Sequence, residues 1–116
     1  MEKTKSDNQE MNLEGVVSVH WNDIVPKQLY PGFSIRVLWS DPNGRKALIF
    51  EIEPGAVYPE LDVHAPGAEE VFVFSGTFCD GKDTYLPGTF IHHPEGTSHK
   101  PQSVDGCKLF VFFPEG

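Results

Sequence analysis

The chain has 116 residues, 39% of them hydrophobic and nine of them Phe, which excludes a disordered polymer and suits one domain rather than two. Seventeen acidic against nine basic side chains give a net charge of −8 and a pI near 4.9, so nucleic acid and anionic membrane surfaces are not expected as partners. Ten Pro and eleven Gly break so short a chain too often for long helices and point to an all-β protein of short strands joined by turns.

Residues 1–14 are polar, with few apolar side chains, and read as a flexible tail. No apolar run follows the first charges, as a secretory leader would need, and no stretch reaches the roughly 18 apolar residues that cross a bilayer. A soluble, cytoplasmic protein is the expectation. A single domain is expected over residues 15–116. Val16, Val17 and Val19 predict a first strand over Gly15 to His20, and Trp21 to Pro26 a short turn. After the break at Tyr30-Pro31-Gly32, Phe33, Ile35, Val37 and Trp39 alternate with Ser34, Arg36 and Leu38, the pattern of a half-buried strand. Asp41-Pro42-Asn43-Gly44 is a tight turn, and Lys46 to Glu53 forms the return strand, closed by Pro54-Gly55.

The next stretch carries the chemistry. Along a strand, Glu60, Asp62 and His64 share one face. A turn at Pro66-Gly67 then predicts a hairpin whose second strand puts Glu69, Val71, Val73 and Ser75 on one face and Glu70, Phe72 and Phe74 on the other. Farther on, the Pro94-Glu95-Gly96 turn delivers His99. Two neutral imidazoles with one or two carboxylates are what a divalent transition metal requires, so Asp62, His64, Glu69 and His99 are the candidate ligands. A solvated charge is the plain alternative for Glu69 and a satisfied, non-ligating histidine for His99. His92 and His93 adjoin Pro94; parity puts His93 on the face of Ile91, and both are expected as surface imidazoles, with a pocket mouth the alternative. Tyr58 and Tyr85 are candidate pocket phenols, with ordinary packing favoured.

Thr77 to Asp80 and Asp83 to Leu86 predict two short strands around Gly81-Lys82, Pro87-Gly88 leads into the His-bearing strand, and Gly106 into a final strand from Cys107 to Phe113. Cys79 and Cys107 show no metal-binding spacing and are expected as buried free thiols. If Glu69, Val71 and Val73 face inward, Phe72 and Phe74 face out, and one set on the last strand joins them. Such rings need a cover, either an N-terminal strand or a second copy of the chain in a homodimer.

The spacings resemble the two motifs of the cupin superfamily. His64-x4-Glu69-x6-Gly76 fits the second half of the first motif, and Gly88-x5-Pro94-x-Gly96-x2-His99 fits the second up to its last residue, where Ser103 replaces the usual Asn. Asp62 stands where the first motif has its first His, and Gly55 lies one residue too far upstream. Within the superfamily, Glu69 to Val73 and Gly88 to His99 look most like the cupin domain of the ChrR anti-sigma factor and its stand-alone relatives. The resemblance covers roughly residues 15 to 113. It implies a jelly-roll β-barrel, agrees with a homodimer, and implies one divalent ion, Fe, Mn or Zn, held by the four candidates, with Asp62 either ligating or hydrogen-bonding the site, or else marking a site that has lost its metal affinity. The implied functions are a metal-dependent enzyme on a small organic molecule, of oxygenase or isomerase/lyase type, or a non-catalytic sensor or ligand-binding cupin. The residues before Gly15 hold no Cys or His, so the sigma-binding half of ChrR has no counterpart among them and anti-sigma activity is not expected.

Overall fold

The computed structural model describes residues 10–116. Ten strands account for the regular structure: β1 (Lys27–Tyr30), β2 (Phe33–Ser40), β3 (Lys46–Ile52), β4 (Asp62–Val63), β5 (Glu69–Gly76), β6 (Phe78–Cys79), β7 (Thr84–Tyr85), β8 (Phe90–His93), β9 (Ser98–His99) and β10 (Cys107–Phe113). A single 3-10 turn, Trp21–Asp23, forms where the sequence predicts a turn. The all-β expectation holds, and among the described residues no helix is long and apolar enough to cross a membrane.

One antiparallel sheet in the order β1-β2-β3-β10-β5-β8 makes one wall. The other wall is assembled from short pieces. Gln102 bridges Val57 on one side and Cys79 on the other, β4 pairs with β9, and β6 pairs with β7. Between the walls, alternation points Phe33 from β2, Leu48 and Ile52 from β3, Val71 and Val73 from β5, and Cys107, Leu109 and Val111 from β10 at Phe78 on the opposite wall. These form the buried core. Alternation also leaves Phe72, Phe74 and Phe110 outside, 43%, 45% and 36% exposed.

Two strand expectations change. Gly15 to His20 forms no ladder and is exposed throughout. β-branched residues favour a strand only when a neighbouring edge supplies backbone partners and burial, and this segment has neither. Its end does part of the predicted covering: Val19 to Trp21 lie beside Ile49, Phe72, Phe74 and Phe110, with Trp21 edge-on to Phe74 at 6.0 Å. The hairpin over residues 60–75 is also absent. β4 takes β9 as its partner, whereas β5 lies between β10 and β8 in the large sheet. The segment through Pro66 and Gly67 therefore crosses from one wall to the other.

Cys79 and Cys107 are both free, with Cys107 buried and Cys79 only partly so. Burial pushes the Cys107 thiol up to about 11, so it stays protonated at neutral pH.

The β6–β7 turn closes on Asp80. Its Oδ1 accepts from the Lys82 and Asp83 backbone N–H groups at 2.9 and 2.8 Å, and its Oδ2 from the Tyr85 hydroxyl at 3.0 Å. Burial opposes the charge, but these three donors outweigh it and hold the Asp80 carboxyl below its usual range. Asp80→Ala should cost on the order of 1 kcal/mol in urea unfolding, because it removes three hydrogen bonds whose exposed backbone donors can turn to water. The stabilisation is present above the ordinary carboxylate value and is lost as pH falls through the depressed one, so wild type and variant should converge in acid.

Candidate metal centre

β4 and β9 set the first two donors. In their ladder Asp62 is directly opposite His99, so both side chains leave the same pair of positions on the inner face. His64 follows β4 and is pinned by backbone bonds: its N–H donates to Thr97 O at 2.8 Å, and its carbonyl accepts from Gly96 N–H at 2.7 Å. The Pro94–Gly96 turn, whose Gly96 has φ +90°, thus fixes His64 as well as His99. Glu69 opens β5 and shares the inward parity of Val71 and Val73.

The structure brings all four predicted residues together, with one donor atom from each inside a 4.8 Å cluster. His64 Nε2 and His99 Nε2 are 3.1 Å apart. Asp62 Oδ2 is 3.0 Å from His99 Nε2 and 3.8 Å from His64 Nε2. Glu69 Oε1 lies 3.2 Å from His64 Nε2 and 3.9 Å from His99 Nε2. His64, Glu69 and His99 are buried, whereas the Asp62 side chain keeps 35% of its surface exposed.

A threonine that sequence reasoning missed sets the His64 tautomer. The Thr97 hydroxyl has one proton and donates it to the Pro94 carbonyl at 2.6 Å. It must therefore accept from His64 Nδ1–H, 2.9 Å away, which leaves Nε2 as a lone pair facing the cluster. Burial opposes a charge on His64, but the Glu69 hydrogen bond and charge, with Asp62 behind them, raise its pKa above the ordinary value. The same carboxylates that attract a proton would attract a cation.

The donors fit a divalent ion of the Fe, Mn or Zn kind. Two imidazole nitrogens and two carboxylate oxygens converge without any Lys or Arg paired to those carboxylates among the described residues. The mixed N/O set favours borderline metals over soft ones.

Of the two neighbouring imidazoles expected on the surface, one is elsewhere. His92 is on the surface, its Nδ1 2.7 Å from Glu70, as parity predicts for Glu70. His93 is buried, 9% exposed, with its ring centroid 4.6 Å from His64 and 4.7 Å from His99. It shares a face with Ile91, and the pairing of Ile91 with inward Val71 makes that face an interior one. Burial, reinforced by the nearby His99 ring, lowers the His93 pKa below its usual value.

Beside the cluster is a cavity of about 280 Å³. The four candidate ligands line one part of it, and Leu48, Phe50, Val71, Phe78, Leu109 and Val111 much of the rest. Tyr58 also lines it and packs edge-on against Phe33 and Tyr30, whereas Tyr85 bonds Asp80 instead. Burial, then the charge of Asp62, pushes the Tyr58 phenol up to about 12, so it remains a donor. Ser103, at the usual Asn position, is buried and donates to the Thr77 carbonyl.

Comparison with solved structures returns the same architecture. An acetylacetone dioxygenase from Acinetobacter johnsonii superposes with a TM-score of 0.71 at 20% identity, covering 95% of this chain and 80% of that one. A cupin-like protein of unknown function from Ralstonia eutropha gives 0.64 at 22% identity, covering 73% of this chain and 56% of that one. ChrR in its complex with SigE from Rhodobacter sphaeroides gives 0.68 at 21% identity, covering 81% of this chain and 51% of that one. The chain thus spans only about half the length of the last two. No curated protein sequence matches it. These likenesses show a cupin barrel, and the ChrR cupin-like domain profile matches residues 14–115; the chain belongs to that family.

Proposed function

We propose that this protein is a metal-dependent cupin enzyme acting on a small, largely apolar organic molecule that carries an oxygen function such as a carbonyl, enol or carboxylate. The observation that carries this reading is the cavity: the donor cluster lies against it, and most of its remaining lining is hydrocarbon and aromatic. Asp62, His64, Glu69 and His99 would hold the ion. When bound, such an ion supplies Lewis acidity to a ligand oxygen or, as Fe(II), redox chemistry with dioxygen.

The chain's own residues account for the rest. Glu69 and Asp62 neutralise a divalent charge, Thr97 holds His64 with Nε2 toward the site, and the Leu48, Phe50 and Leu109 wall keeps water from the reacting oxygen. Tyr58, a cavity-lining phenol that stays protonated, would be the hydrogen-bond donor to a second oxygen of the ligand. Similarity to an acetylacetone dioxygenase makes small 1,3-dicarbonyl compounds the first class to try.

The test loads the protein with Fe(II), Mn(II) or Zn(II) and follows dioxygen uptake and loss of compound across a panel of dicarbonyl, enol and carboxylate molecules. Turnover that depends on the metal is expected. Binding that raises the melting temperature without turnover would support a sensor or ligand-binding cupin instead. Neither binding nor turnover with any metal would overturn the proposal.

A further inference from the structure

Across the β5–β8 ladder, His93 stands directly opposite Glu69. Its Nδ1 is 3.5 Å from Glu69 Oε1, and its ring is within 4.7 Å, centroid to centroid, of both His64 and His99. Both of its nitrogens are shielded from solvent, and neither makes a hydrogen bond. A neutral imidazole has one N–H and one lone pair, and burying both unpartnered is unfavourable. The other site imidazoles do not supply the missing partner: the 3.1 Å contact between them is made by His64 Nε2 and His99 Nε2.

One separation, from His93 Nδ1 to Glu69 Oε1, is that of donors sharing an ion, although His93 stands outside the four residues whose donor atoms lie within 4.8 Å of one another. Bonds of about 2.0–2.2 Å place two ligand atoms roughly 3 to 4 Å apart, and the 3.5 Å between His93 Nδ1 and Glu69 Oε1 lies in that range. The four-donor cluster has only two imidazoles, since Asp62 occupies the strand position opposite His99 and is its most exposed member.

We propose that His93 supplies a third imidazole to the metal, so that His64, His93, His99 and Glu69 form the tight set and Asp62 is the dispensable donor. This rests on the metal-site reading above. It follows from the ladder: β8 delivers His93 beside Glu69 from the wall opposite β4 and β9, so the ion is gripped from both walls of the barrel.

The experiment uses Co(II) added to the metal-free protein, with wild type, His93→Phe and Asp62→Asn compared. Phe keeps the ring that packs on His64 and His99, and a melting curve checks folding. Affinity comes from competition with a chelator, and the number of bound imidazoles from the paramagnetically shifted N–H proton resonances. Three imidazoles in wild type, two in His93→Phe with binding weakened by more than about 100-fold, and a smaller change in Asp62→Asn are expected. Two imidazoles in wild type would overturn the His93 assignment while leaving the metal site standing, and that count decides even if His93→Phe fails to fold. Failure of wild type to bind Co(II) would instead remove the metal-site reading and the His93 assignment with it.

Discussion

His99→Ala should empty the metal site. Elemental analysis of the purified wild type is expected to give about one Fe, Mn or Zn ion per chain, and the variant close to none. The reason is geometric: His99 Nε2 is within 3.9 Å of the donor atoms of Asp62, His64 and Glu69, so its removal opens the middle of the cluster. Altering a residue that only orients a ligand typically costs 10–100-fold in affinity, and deleting a ligand should exceed that. His64→Ala should behave alike, because Thr97 holds that ring with its lone pair on the site. Glu69→Gln should weaken binding less than either, since it removes charge but leaves an oxygen donor.

Binding should also weaken steeply in acid, because the imidazoles must lose their protons to ligate. Glu69 and Asp62 raise the His64 pKa, so the competition begins above the ordinary value of 6.5. In the metal-free protein His64 has the opposite sense. The folded form binds its proton more tightly than the unfolded chain, a stabilisation fully present below about 6.5 and lost as pH rises through the folded value. Melting temperatures measured with and without Zn(II) over this range should therefore diverge as pH rises. Parallel curves would show that no ion competes for the His64 proton.

Gly76→Ala should be strongly destabilising, by at least ~3 kcal/mol in urea unfolding. Gly76 ends β5 with φ +74°, a conformation that a side chain disfavours. An added Cβ would also sit 2.7 Å from the Cys107 Cα and closer still to the Gly106 carbonyl oxygen. Both obstacles are backbone and cannot rotate away. Gly106 itself has φ +85°, and the Pro54 ring lies 3.0 Å from where its own Cβ would be, so a side chain is disfavoured at this neighbour too. The comparison is Gly88→Ala, where φ is +92° but nothing lies within 4 Å of the added carbon. That variant should lose only the backbone term, about 1–2 kcal/mol. Equal losses in the two would show that the close approach of β5 to β10 does not matter.

Much of this protein follows from local pattern. Alternation over residues 33–40, 46–52, 69–76 and 107–113 locates the four long strands and their inward faces, because the two-residue period is a property of the strand itself. The Pro94-x-Gly96 turn places His99, and the spacing from Glu69 to Gly76 selects Glu69 over Glu70 for the interior, as the burial of the two confirms. Gly15 to His20 marks the limit of such reasoning: its valines have the propensity for a strand, but no neighbour is there to pair with them.

Pairing decided the rest. Asp62 meets His99 across 37 residues because β4 adds to β9, and β5 takes β10 and β8 instead of forming the expected hairpin. His93 reads as a surface imidazole beside the Pro94 turn, yet its register opposite Glu69 buries it against His64 and His99. The sequence by itself determined the β class, the long strands and the choice of two imidazoles and two carboxylates as candidate ligands; their convergence came from the pairing. Only the tertiary structure decided that a third imidazole, the Thr97 hydroxyl and an apolar cavity adjoin them, because backbone hydrogen bonds between strands distant in the chain set those neighbours, and a period-two pattern carries no information about its partner.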